Sequence, residues 1–217
     1  MRKSYGMAEA RRLPRLGRSR AVLTAATILA AAAAFVVVIG APGVPGAPAD
    51  GDTRAGQLAG GYVQTRWGRL SPSDRSLLTK VREAGLWEMP AGQQAQQRAA
   101  APRVKEIAAM IAEQHLRLDE DTRAVAERLD VILPNEPNGS QKAWLAEMSE
   151  QFGAEYDRTF VRRLREAHGQ VFALIAQIRS KTENSEIRAF AERAMRYVNT
   201  HMTLLESTGL VPKSALF

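Results

Sequence analysis

Residues 102–129 read PRVKEIAAMIAEQHLRLDEDTRAVAERL, and the reading of this stretch decides the fold. Steps of alternately four and three residues from Val104 reach Ala108, Ile111, His115, Leu118, Thr122, Val125 and Leu129. That spacing keeps one side of an α-helix turned towards a core. Lys105, Glu106, Glu113, Arg117, Asp119, Glu120, Arg123 and Glu127 fall between them, so the other faces are solvated. The stretch predicts a bundle helix with one polar side chain, His115, in its apolar stripe.

Working outward, the pattern recurs on three more segments. Upstream, Ser71-Pro72-Ser73-Asp74 is a helix start: a capping serine, a proline where no amide is needed, and an acid able to return a hydrogen bond. The inward face of that helix runs Asp74, Leu77, Val81, Ala84, Glu88, Ala91 and Ala95, and Pro90 is expected to kink it near Leu86. The join Ala100-Ala101-Pro102 is short, which makes the first two helices antiparallel neighbours. Downstream, Asp130 to Gly139 carries two prolines and an Asn-Gly turn, and Ser140 is expected to cap a short helix to about Phe152. From Ala154 a third long helix presents Asp157, Val161, Leu164, His168, Val171, Ile175 and Ile178. After a break at residues 181–184 a fourth presents Ile187, Ala191, Ala194, Val198, His201 and Leu205, stopping at Gly209. A helix of roughly 27 residues is about 40 Å long, and the segment joining the second and third can cover about 50 Å. A lengthwise crossover is therefore permitted. The expected fold is all-α, an antiparallel four-helix bundle over residues 70–211.

Every histidine in the chain, His115, His168 and His201, lies on an inward face, each on a different helix, and Glu88 takes the equivalent place on the remaining one. His115, His168 and Glu88 stand within about two residues of their helix midpoints and His201 about a turn away, so in an antiparallel bundle the four can converge. Two readings follow. In the first, the imidazoles form a structural polar layer and donate to Glu88 or Asp157, because an unpaired buried polar group costs about 1–3 kcal/mol. In the second, Glu88, His115, His168 and His201 hold one transition-metal ion, with Asp157 behind them. Zinc, copper, iron and manganese all suit three imidazoles and a carboxylate. A di-iron centre does not fit, since it needs Glu-x-x-His on two helices and Ala112, Arg165 and Val198 stand three residues before the histidines. No catalytic nucleophile and no phosphate-cradling glycine loop is marked. Trp67, Trp87 and Trp144 read as packing aromatics, and Glu113-Gln114 as solvated face.

Residues 1–20 hold seven basic side chains against one acid, which is +6 of the chain's net +7. The remainder lacks the basic footprint that phosphate backbones require, so nucleic acid is excluded as a partner. The apolar run Ala21 to Ile39 follows the basic segment, and positive charge before such a run places that end in the cytoplasm. The expected organisation is a basic cytoplasmic segment at 1–20, a transmembrane anchor or signal sequence at 21–40, and a Gly/Pro/Ala-rich tether at 41–69. Retention of the anchor leaves a single-pass protein whose C-terminal domain is outside the cytoplasm. Cleavage at Ala47-Pro48-Ala49 would instead secrete it. The absence of cysteine excludes disulfides, thiolate metal sites and a cysteine nucleophile.

The chain resembles a known family from about Leu70 to Leu210. Its pieces are Ser-Pro-x-Asp at Ser71–Asp74, Gly-Leu-x-Glu ending at Glu88, and Gln-Arg-Ala-x-x-Pro-x-Val-Lys from Gln97 to Lys105. With them go His115 closing the run from Ile111, the Tyr156-Asp157 pair, His168, and His201 closing the run from Met195. These are similar to the exported bacterial family of unknown function numbered forty-one forty-two. The resemblance implies a ferritin-like four-helix bundle in the bacterial envelope and no settled activity. The chain departs from the family pattern at Gln114 and Ala167, where acids are usual, at Phe160 for tyrosine and at Arg196 for proline. The leading expectation is a structural or interaction module of the cell envelope, met by an envelope protein or a second copy of itself, with a buried His/Glu layer able to hold a metal ion. The alternative is a metal-dependent redox or storage protein.

Overall fold

The computed structural model describes residues 61–213, so the basic segment, the apolar run and most of the tether lie outside the described residues. Within that span the chain is mostly helical. A short β-hairpin, β1 (Val63–Thr65) and β2 (Gly68–Leu70), precedes five helices. These are α1 (Pro72–Arg98), α2 (Pro102–Arg128), α3 (Gly139–Ser149), α4 (Gly153–Lys181) and α5 (Ser185–Glu206). No helix among the described residues is long and apolar enough to cross a membrane.

Helices α1, α3 and α5 begin where a short polar side chain, Ser71, Asn138 or Asn184, satisfies free amides. Ser71 accepts from the Asp74 amide at 3.1 Å while the Asp74 carboxylate accepts from the Ser71 amide at 2.8 Å, a reciprocal cap that stabilises by about 1 kcal/mol. The short helix α3 starts two residues earlier than its serine suggests. Asn138 rather than Ser140 caps it, exchanging bonds with Gln141 at 3.1 and 3.0 Å. Pro90 lies inside α1, which stays helical from Pro72 to Arg98.

Connectivity sets which helices meet. Helices α1 and α2 form one antiparallel helical hairpin, and α4 and α5 form another. Gly153 at the start of α4 bridges Ala99 at the end of α1, whereas Arg128 at the end of α2 pairs with Glu186 at the start of α5. The segment between α2 and α4 therefore runs the length of the bundle, with α3 lying against α1 and α4. Each long helix is antiparallel to both of its neighbours. One long crossover of this kind is the connectivity of ferritin-like folds.

The tether expected to extend to residue 69 ends sooner, because Val63 and Leu70, paired across the hairpin, bury their side chains in the bundle core. Asn184, fully buried at the α4–α5 turn, donates to Thr65 Oγ1 at 3.0 Å and to the Gly68 carbonyl at 3.2 Å. Gly68 has φ +104, and a Cβ there would stand 2.3 Å from the Glu183 carbonyl oxygen. Gly68→Ala is accordingly expected to lower the unfolding free energy by roughly 2–4 kcal/mol in urea titration. An unchanged midpoint would mean that the hairpin does not bear on the α4–α5 turn in solution.

The apolar core is in two parts. Leu77, Val81, Leu118, Val125, Ile175 and Val198 belong to one cluster, and Trp87, Ile111, Tyr156, Phe160, Leu164 and Leu205 to the other. Along α2, α4 and α5 a histidine stands between the two: Ile111–His115–Leu118, Leu164–His168–Ile175 and Val198–His201–Leu205.

Candidate metal centre

The layer between the two apolar clusters is built from one side chain of each long helix. Glu88, His115, His168 and His201 are 3%, 3%, 2% and 1% exposed. One donor atom from each lies within 4.8 Å of all the others. Glu88 and His115 come from the first helical hairpin, His168 and His201 from the second. Asp157, expected behind them, stands elsewhere. Its two carboxylate oxygens accept from the Ala100 and Ala101 amides at 3.1 and 2.9 Å, satisfying the start of α2. It shares a helix face with His168, but eleven residues of helix put it about 16 Å away along the axis.

The partners within the layer assign the ring protons, that of His201 through Gln114 with its oxygen towards the ring. Glu88 Oε2 accepts from His115 Nε2 at 2.9 Å and lies 3.5 Å from His168 Nε2. His168 Nδ1 faces the Leu164 carbonyl at 2.8 Å. A carbonyl can only accept, so Nδ1 carries the proton and the Nε2 of a neutral ring is a bare lone pair. His201 Nε2 faces Gln114 Oε1 at 3.1 Å, which likewise leaves Nδ1 bare. These two bare nitrogens face each other at 2.9 Å. Gln114, read from the sequence as solvated face, is thus half-buried against the layer. Its signal was its place next to His115, at the edge of the helix stripe. Glu113 does remain exposed, paired with Arg117. The Nδ1 of His115 is buried without a partner.

Electrostatics keep the His168 and His201 rings neutral. Burial pushes His168 down, and His115 adds repulsion, against the opposing attraction of Glu88. His201 is driven far below its ordinary value by burial and by repulsion from His168 and His115. Burial alone would raise Glu88, but His168 and His115, with the His115 hydrogen bond, outweigh it and hold the carboxyl below its ordinary 4.5. Neutral imidazoles and an ionised carboxylate are the forms that ligate metals.

The donor set fits a single ion. Ion–donor distances of about 2.0–2.2 Å put neighbouring donors of a tetrahedron about 3.3 Å apart; three of the donor pairs, at 2.9, 2.9 and 3.5 Å, straddle that, and the others lie within 4.8 Å. The buried Glu/His/His/His group can therefore hold a metal ion, with Leu164 and Gln114 orienting two of the rings.

Residues 63–207, more than half of the chain, match the family described as Domain of unknown function (DUF4142). No curated protein and no solved structure matches the chain.

Proposed function

We propose that this chain, which belongs to the DUF4142 family, is a membrane-tethered, extracytoplasmic ferritin-like bundle that binds one transition-metal ion through Glu88, His115, His168 and His201. The observation that carries the metal is the contact of His168 Nε2 with His201 Nδ1 at 2.9 Å, two acceptors whose partner nitrogens already donate. Two lone pairs at that distance repel unless a cation lies between them. A proton is a poor candidate, because both rings are buried and their protonated forms disfavoured. A metal ion meets the same need and also draws in the other two donors. The membrane tether rests on residues 1–39, a basic segment followed by an uncharged apolar run.

Zinc, copper, iron and manganese remain the candidates, and a redox or storage role would use the same four side chains. The test is elemental analysis and calorimetric titration of the full chain, recovered from membranes of a bacterial host without chelator or affinity histidines. One ion per chain is expected, together with a rise in thermal midpoint on adding it to stripped protein. Absence of both would overturn the reading.

A structural layer is the second reading, and Gln114 favours it in one arrangement. If its amide turns so that the nitrogen meets His201 Nε2, the ring proton moves to Nδ1 and donates to His168 Nε2. Nitrogen NMR of the stripped protein distinguishes the two, since His201 carries its proton on Nε2 in one and on Nδ1 in the other.

A further inference from the structure

A cavity of about 210 Å³ lies between α1, α3 and α4, and Glu88 forms part of its wall. It is several times the ~30 Å³ share of one water in the liquid, and small beside the 300–1,000 Å³ of sites for drug-sized ligands. Two observations say what enters it. A divalent ion with one carboxylate and three neutral imidazoles keeps a net charge of +1, in a layer whose members are at most 3% exposed. Uncompensated charge at such depth costs several kcal/mol, and a monoanion removes it. Independently, Trp87, fully buried and in the same wall, carries an indole N–H that has no acceptor. Four donors also leave a coordination position open in any ion that takes five or six. The cover over this cavity is the first two turns of α3, whose Trp144 meets Trp87 edge to face at 5.3 Å.

We infer that this cavity admits a small monoanion, of the size of azide or hydroperoxide, that completes the coordination of the ion beside Glu88. The inference rests on the metal reading and deepens it: the centre is open to exogenous ligand from the α3 side. Ala84 and Ala167 line the cavity from α1 and α4 without belonging to the layer. A methionine at either position fills the space with a side chain that helices accept.

The experiment uses the full chain loaded with cobalt(II), whose visible absorption reports coordination, titrated with sodium azide and with acetonitrile. Azide is expected to shift the spectrum saturably, and acetonitrile, neutral and of similar size, to bind at least tenfold more weakly. In Ala84→Met and Ala167→Met the azide affinity is expected to fall at least tenfold with cobalt still at one per chain. Failure to take up cobalt would count against the metal centre itself. Cobalt uptake with no azide shift, with equal binding of the neutral ligand, or with unchanged azide affinity in a folded cavity-filled variant would overturn the inference alone. The preference for anion over neutral ligand is read on the parent protein, so it decides the matter even if both variants fail to fold.

Discussion

His168→Leu loses metal, with affinity for a divalent ion lower by at least a hundredfold, while the bundle stays folded. His168 is the ring in contact with both other sides of the layer, 3.5 Å from Glu88 Oε2 and 2.9 Å from His201 Nδ1. Changes to groups that merely orient a ligand cost 10–100-fold, so loss of a donor sets the lower bound at about the upper end of that range. The fold tolerates the change because His201 Nδ1 faces a bare acceptor in the stripped parent as well, so no hydrogen bond is lost there. Burying leucine in place of imidazole returns about 1.5–3 kcal/mol. The Leu164 carbonyl keeps its helical partner. Calorimetry with the metal and urea unfolding of the stripped protein measure the two effects separately. A purely structural layer would instead show a stability change with no metal dependence. A variant altered in neither respect would remove both readings of the layer.

The metal-free protein loses stability steeply as pH falls below about 6.5, the ordinary histidine value. The sign follows from where protons bind. His168 and His201 have lowered values in the folded chain, so below 6.5 the unfolded chain takes up protons that the folded chain refuses. Their contribution is fully present above 6.5 and is lost as pH falls towards the folded values. Each group refused a proton adds a slope of about 1.4 kcal/mol per pH unit. Glu88, held below 4.5, acts in the same sense, with a contribution present above 4.5 and lost below it. Between pH 6.5 and 5 the two groups together remove about 4 kcal/mol, a large part of a total stability of about 5–15 kcal/mol. Urea midpoints measured from pH 7.5 to 5 check this, and a double variant, His168→Leu with His201→Leu, should flatten the slope between 6.5 and 5. A parent profile already flat over that interval would contradict the buried, neutral assignment of the two rings.

Much of the bundle was legible from periodicity alone. All eight inward positions assigned along α2 and its C-cap, from Val104 to Leu129, are buried, as are Leu164, His168 and Ile175 on α4 and Ala194, Val198 and His201 on α5. A 3.6-residue repeat reports the face of a helix, and a long helix presents the same face at many levels. It does not report which level meets which, and Asp157 shows the difference: it lies on the assigned face and is buried, yet serves the far end of the bundle. The convergence of Glu88 with the histidines was legible because mid-helix residues of antiparallel helices share a level whatever the exact ends. The β-hairpin was not legible, since strands of three residues are too short for alternation to register. What requires glycine at position 68 is a carbonyl more than a hundred residues away. Gln114 escaped for the opposite reason: its face was assigned as solvated, and its long side chain reaches back from the edge of that face to His201.

The pairing of the four donors, two from α1–α2 and two from α4–α5, makes an ion there a covalent-like cross-link in the topology of the chain. Within each helical hairpin the helices are joined by about three residues and remain neighbours without help. Between the hairpins, the only covalent tie is the long crossover. An ion joining His115 to His168 closes a loop of roughly fifty residues, and in the chain-entropy picture used for disulfides such closure is equivalent to about 4 kcal/mol. A protein with no cysteine can thus rivet its two halves together with a bond that chelators open and oxidants of thiols do not. Metal release would then part the hairpins along the α1–α4 and α2–α5 seams before it unwound any helix, and amide exchange should quicken first where those seams face each other.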